Sequence, residues 1–297
     1  MKKIIIISLV LFLFGMPFLY SQKFNDPYAD MDSLAGRGWH FGLNMGFYFP
    51  NSYSANFYNG HYNNVNKVEW VLENNYWYED LRSDHLNGYN VLYDSTARHY
   101  LVDYQTNMRY DAVFSPGFYV RYNVKRNLGF YLQFTYAQLR TSGTFSLHID
   151  SVTYTSEPAL RHGFITGKEV RNLMDIGVFK SFDLDDIIQF YVEGGINMTN
   201  TVVSSNEIDI SGFRKTIINR YGNQMYVPNT AMNEEYIYQG GIGFGITATA
   251  GLRFIFSEKI SVDPSFQFFW KKANLEGYEA YNSHYNVFIR LILNDIL

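Results

Sequence analysis

Apolar and polar residues alternate one by one through much of this chain, most cleanly between Tyr238 and Phe256. There Ile242, Phe244, Ile246, Ala248, Ala250, Leu252, Phe254 and Phe256 fall on one face. Gly241, Gly243, Gly245, Thr247, Thr249, Gly251 and Arg253 fall on the other. A period of two belongs to a strand whose two faces meet different surroundings. The bulky face carries no charge and suits lipid, while the small polar face suits a narrow interior. The pattern recurs in Trp39–Phe49, Leu128–Ala137, Ile188–Met198, Val262–Lys271 and Tyr285–Asn294. Two less regular runs, near 112–124 and 170–182, bring the number of expected strands to eight. The longest exceeds the ~9–11 residues that a tilted strand needs to cross a bilayer.

The connections alternate in length. Val124–Asn127, Asp183–Asp186 and Ser257–Lys259 read as tight charged turns, whereas residues 50–110, about 143–169, 204–237 and 274–283 read as long segments. Short periplasmic turns and long extracellular loops are the layout of outer-membrane barrels. The expectation is therefore an all-β protein: a transmembrane, antiparallel up-and-down β-barrel of eight strands, or ten if part of 60–110 forms another hairpin. Trp39, Phe49, Tyr110, Tyr136, Trp270 and Tyr285 stand at strand ends, where aromatic girdles belong. A soluble sandwich or lipocalin-like barrel would instead turn the aromatics inward, and its bulky faces would not need to be free of charge.

The start of the chain has the order of a secretory signal: Lys2 and Lys3, the apolar run Ile4–Phe14, then Gly15, Pro17 and Ser21. Residues 1–21 are expected to be a signal peptide and 22–36 an N-terminal periplasmic segment. Residues 37–297 are then the barrel, with a large extracellular loop at 50–110, in the outer membrane of a Gram-negative bacterium. Aromatics make up 19% of the residues and there is no cysteine, which excludes a disulfide scaffold and an all-cysteine zinc site. A net charge of -4 gives no footprint for nucleic acid. Outer-membrane lipid is the expected partner.

With strands and turns placed, the chain resembles the PorT-like outer-membrane barrels of Bacteroidota-type bacteria. The resemblance lies in GWHFGLNMGFYF at Gly38–Phe49, SPGFYVRYNVKRNLGFYLQFTYAQL at Ser115–Leu139 and MDIGVFKSFDL at Met174–Leu184. It departs from that family in its long first loop, in Gly177 where a proline often stands, and in its final Leu297. Since the family includes secretion accessory proteins, the resemblance implies an accessory role at an outer-membrane machine.

The chemistry that the pattern exposes is charge on the interior faces: Arg121, Asp175, Glu193, Arg253, Asp263, Lys271 and Arg290. Centring the 257–259 turn sets Arg253 opposite Asp263. Centring the 183–186 turn sets Asp175 opposite Glu193, with Arg121 and Arg290 as the cations to hold them. Buried charges need partners. The network is expected to plug the barrel; a gate or proton-sharing carboxylate pair is the sharper alternative. No HExxH or GxSxG spacing occurs, so neither a metal, a cofactor nor an enzyme is expected. The loop 50–110 is rich in Asn and Tyr, and its Trp70, Tyr76, Trp77 and Tyr78 are candidates for a partner-binding surface. The same loop could instead cap the barrel mouth. The functional expectation is a structural or interaction role, as surface binder or accessory to a secretion or assembly machine. A small-solute pore ranks second and a membrane-embedded hydrolase third.

Overall fold

The structure is a computed structural model that describes residues 38–151, 159–185, 187–218 and 239–294. The signal peptide and the N-terminal segment expected at 1–36 lie outside the described residues, as does most of 204–237. Eight long strands form the frame: β1 Gly38–Phe49, β2 Gly117–Lys125, β3 Leu128–Ile149, β4 Ala159–Asp183, β5 Ile188–Ile210, β6 Gly240–Ser257, β7 Ile260–Lys271 and β8 Asn282–Leu293. Each pairs antiparallel with the next, and β8 returns to β1 from Phe41 opposite Leu293 to Phe49 opposite Tyr285. The ring closes at eight, not ten.

Closure suits these residues because lipid offers no hydrogen bonds, and a ring leaves no strand edge unpaired. Burial follows the period of two. Leu43, Met45, Phe47, Phe130, Phe134, Ile176, Ile196, Ile246, Val287 and Ile289 are exposed on the outside. Their neighbours Asn44, Tyr48, Tyr131, Gln133, Asp175, Asn197, Thr247, Asn286 and Arg290 are buried inside. A continuous exposed apolar band around a closed ring is a lipid-facing surface. No helix among the described residues is long and apolar enough to cross a membrane.

Two expectations from the sequence need correction. Strand replaces both ends of the segment expected as a loop at 143–169 and the start of the one expected at 204–237: β3, β4 and β5 run 22, 25 and 23 residues, about twice the span of a bilayer. Above the apolar band their outer positions become polar (Gln138, Arg140, Ser142, Asn172, Asn200), while inner positions such as Leu139, Phe145, Leu147, Ile165 and Ile208 become apolar. The three strands therefore continue as a half-buried wall standing on one side of the barrel. The second correction is register. The β4–β5 turn is tied by Leu184 and Asp185 N–H groups donating to the Ile188 carbonyl. The pairing is centred two residues later than expected, with Asp183 opposite Gln189, so Asp175 pairs with Asn197 and Glu193 with Phe179 rather than with each other.

Against the inner side of the wall lies the segment between β1 and β2. Short elements build it: a 3-10 turn at Tyr53–Tyr58, helical turns at Glu69–Leu72 and Asn75–Asp80, and a strand at Val102–Tyr104 that pairs with Phe145–Leu147. The Asn74 side chain accepts from the Tyr76 and Trp77 N–H groups, at 3.1 Å each, and so starts the second helix. Ala55, Phe57, Val68, Val71, Leu72, Leu81 and Leu86 form one apolar cluster with Phe145, Leu147, Ile165, Ile208 and Ile210 of the wall. This segment is a folded cap.

The facing can be tested on β6, where Ile246 is 59% exposed and Thr247 4%. Ile246→Arg should destabilise the barrel in lipid vesicles by ~2–4 kcal/mol if it lies near the midplane, and by less towards a rim. Thr247→Ser should change little, as read from urea unfolding; comparable losses would reverse the facing.

Candidate functional site

The interior of the ring is filled by side chains, as an eight-stranded barrel allows. Near the periplasmic turns, Arg253 and Asp263 face each other across β6 and β7. Arg253 Nη2 donates to Asp263 Oδ2 at 2.8 Å, and Nε to both oxygens at 3.1 and 3.2 Å. At mid-height, Arg290 donates from Nη1 and Nη2 to Glu193 at 2.8 and 3.2 Å, from Nη2 to Gln133 at 2.7 Å and from Nε to Asn44 at 3.0 Å. Its guanidinium lies 3.5 Å from the Tyr119 ring centroid, and the Tyr119 hydroxyl donates to Glu193 Oε1 at 2.7 Å. One arginine thus ties four strands together.

Asp175 is held by amides rather than by the expected arginines: Asn197 Nδ2 donates at 2.6 Å and Gln267 Nε2 at 2.9 Å. Lys271, towards the extracellular end, donates to Thr199 Oγ1 at 2.9 Å and lies over the Phe269 and Tyr48 rings. His284 Nδ1 accepts from the Asn51 N–H at 3.1 Å, which only an unprotonated Nδ1 can do, and also receives the Tyr48 hydroxyl. Arg121 is fully buried but has no carboxylate within ion-pair distance among the described residues. Its guanidinium stacks 4.1 Å from the Phe179 ring centroid. The structure thus brings together Arg253 with Asp263 and Arg290 with Glu193, and leaves Asp175 and Arg121 outside ion pairs.

A further pair joins barrel to cap. Arg171 Nε donates to Glu169 Oε1 at 2.6 Å, both side chains being fully buried. Arg171 Nη2 reaches Ser54 Oγ at 2.9 Å, and the Tyr58 and Tyr110 hydroxyls donate to Glu169 Oε2 at 2.6 and 3.2 Å. Tyr58 fits here because Gly167 has no side chain; a Cβ there would fall into the Tyr58 ring. The sequence reading missed this cluster by treating 143–169 as loop. The signal was present in Gly167, Glu169, Arg171, Leu173 and Asp175, which carry the interior alternation unbroken past the apolar band.

In the cap, the four aromatic candidates divide. Tyr76 is 58% exposed. Trp70 donates from Nε1 to the Val65 carbonyl at 3.0 Å, Trp77 packs on the cap's apolar cluster, and the Tyr78 hydroxyl accepts from the Val91 N–H at 3.0 Å. Glu69 is buried among Val68, Val71 and Leu72, with the Tyr104 hydroxyl on Oε1 at 3.3 Å and no partner on Oε2. Burial lifts its carboxyl above the ordinary carboxylate range, against the opposing pull of Lys67.

On the outer face of the wall, Ser146 Oγ lies 2.9 Å from His162 Nδ1, and Asp103 Oδ2 lies 2.8 Å from His148 Nε2. A serine relay needs base and acid on opposite nitrogens of one imidazole. Here the serine and the acid engage different histidines, all on an exposed sheet face. Among the described residues no group of three or more His, Asp or Glu is placed to hold a metal ion.

A closed ring with an apolar outer band, short turns at one end and a folded cap at the other settles the compartment. The chain is an outer-membrane β-barrel. No family model matches it, and no curated protein matches it. Among solved structures it is similar to Neisserial surface protein A, at 7% identity over 86% of this chain and 97% of that one, with a TM-score of 0.42. It is also similar to the N-terminal β-barrel domain of OprF from Pseudomonas aeruginosa (10% identity, 87% and 98%, TM-score 0.34). Ail, the attachment invasion locus protein of Yersinia pestis, solved with the heparin analogue sucrose octasulfate, is a third (10% identity, 86% and 98%, TM-score 0.32). Nothing about binding or activity transfers at these identities.

Two measurements test this geometry. Asp263→Asn leaves Arg253 buried without a counter-charge and should cost ~3–5 kcal/mol. Adding Arg253→Met should recover most of that loss in a denaturant double-mutant cycle; a purely additive cycle would show that the pair is not coupled. Glu69, with its folded pKa raised, contributes stability that is complete below the ordinary carboxylate pKa and lost as pH rises through the folded value. Glu69→Gln should therefore slow hydrogen exchange of the Val71 and Leu72 amides at neutral pH. The advantage over wild type should vanish on acidification, and equal exchange at neutral pH would refute the buried charge.

Proposed function

We propose that this outer-membrane barrel has a structural or interaction role: the barrel is a sealed anchor, and the cap is the surface that meets a partner outside the cell. The observation that carries this reading is the pairing of a filled lumen with a folded, clamped cap. Arg290 spans the interior, and Arg171, Glu169, Tyr58 and Tyr110 bind the cap to the wall through buried charge-assisted hydrogen bonds. A flexible loop would lose much entropy on binding, whereas a preformed surface loses little.

The outward surface of the cap carries exposed tyrosines from separate segments: Tyr53, Tyr62, Tyr76 and Tyr93. Tyrosine offers a large rigid contact area with a hydrogen-bonding tip, which suits a protein partner. Of the residues first considered for binding, Tyr76 belongs to this surface, while Trp77 and Tyr78 anchor the helix that presents it and Trp70 belongs to the helical turn before. The PorT-like resemblance favours, as the particular role, an accessory to an outer-membrane secretion or assembly machine. The pore reading is weaker because the interior offers side chains where a pore needs water, and the hydrolase reading because the wall's serine and aspartate engage different histidines.

The triple variant Tyr62→Ser, Tyr76→Ser, Tyr93→Ser removes the aromatic surface without touching the apolar cluster. It should keep the heat-modifiable migration of a folded barrel while losing the proteins that crosslink to the wild type on intact cells. An unchanged crosslinking pattern would remove this surface as the binding face. Steady single-channel conductance of the wild type in planar bilayers would overturn the sealed anchor.

A further inference from the structure

The lumen holds five buried cations, Arg121, Arg171, Arg253, Lys271 and Arg290, against four buried carboxylates, Glu169, Asp175, Glu193 and Asp263. Three of the arginines are matched one to one. Lys271 and Asp175 share the extracellular half: Lys271 pairs in register with Gly245, Gly245 with Asn197, and Asn197 with Asp175. Arg121 is the cation left over. A lysine can shed its proton when buried; a guanidinium cannot.

Arg121 sits 1% exposed on β2, four residues before the strand ends at its periplasmic turn, with His40 across from it on β1 and Tyr131 on β3. Its Nε and Nη1 have no hydrogen-bond partner, and neither has the neighbouring Tyr131 hydroxyl. The Ser261 hydroxyl, also buried and without a partner, belongs to the same end of the lumen, at the start of β7. No carboxylate nearby is spare, and the unpartnered Asn123 and Asn127 side-chain oxygens are neutral. Asp263 already takes three hydrogen bonds from Arg253, and Glu193 takes those of Arg290 and Tyr119. The Phe179 ring under Arg121 also has Arg253 5.1 Å from its centroid, so two guanidinium groups lie against one ring.

Water could satisfy the idle N–H groups but not the charge, and a stacked ring returns only part of what burying a guanidinium costs. We propose that Arg121 anchors an anion-binding site in the periplasmic end of the lumen, taking one small oxyanion, a carboxylate or a phosphate. Access is from the periplasmic side, because the Arg290, Glu193 and Gln133 layer closes the lumen above it. The arginine supplies the charge, and the Tyr131 and Ser261 hydroxyls are free to turn their hydrogens toward the anion.

The test uses the full barrel folded in micelles with arginine labelled at the side-chain nitrogens. The Arg121 Nε–H signal is assigned by its loss in Arg121→Met. At constant ionic strength, sodium acetate or inorganic phosphate should move that signal along a saturating curve while those of Arg253 and Arg290 stay in place. A shift with acetate alone assigns the site to carboxylates, and with phosphate alone to phosphates. No movement, or a parallel unsaturable drift of all three signals, overturns the proposal. Thermal unfolding gives a second reading: the anion should raise the midpoint of the wild type and leave Arg121→Met unchanged. An equal rise in both would overturn the site, and if Arg121→Met does not fold, the wild-type titration still decides.

Discussion

Everything in this structure descends from the need of the peptide backbone for hydrogen-bond partners inside a medium that supplies none. A ring of antiparallel strands meets that need, and the return of β8 to β1 removes the last free edge. Eight strands is a small ring, so the interior has room for side chains and little else. Once the interior is polar, every charge placed there must find its counterpart within the same narrow space. The residue choices inside the barrel, from the small Thr247 and Gly245 to the spanning Arg290, are solutions to that packing problem.

The interior is organised as levels, each with its own chemistry. Arg253 and Asp263 close the lower level through a direct cross-strand pair. Arg290 and Glu193 close the middle one and recruit Tyr119, Gln133 and Asn44 from three other strands. Arg171 and Glu169 stand above the apolar band and bond outward to the cap. The same arginine–carboxylate unit therefore serves to fill the ring below and to fasten a separate body above. The wall of β3, β4 and β5 makes the transition by exchanging faces: its inner side turns largely apolar while its outer side turns polar.

Facing was legible in the sequence because a period of two leaves no ambiguity: Ile246 out and Thr247 in follow from the alternation alone. The Arg253 and Asp263 contact follows from the short turn at Ser257–Lys259, whose centre the charges mark. Register across the β4–β5 turn was not legible, because Asp183, Leu184 and Asp185 suit strand end and turn equally well. A small displacement of the turn tip separated Asp175 from Glu193. Strand length was misjudged for a physical reason too. Polar outer residues such as Arg140 and Lys168 signal the end of lipid, not the end of the strand. The Glu169 and Arg171 clamp was hidden with it, since its tyrosines come from a segment whose short turns carry no strong period.

The cap is made from the segment after the first strand, yet the wall it rests on comes from the third, fourth and fifth. Phe57 shares its cluster with Ile165 and Ile208, over a hundred residues further along the chain. Contacts so distant in sequence form late, because a long loop must close before they return anything. During biogenesis the apolar side of the cap therefore stays uncovered until most of the barrel exists. A chain arrested before β5 carries that sticky surface with no place to put it. The order in which contacts can close makes the outermost part of the protein the last to mature, and an intact cap is in effect a certificate that the barrel beneath it is complete.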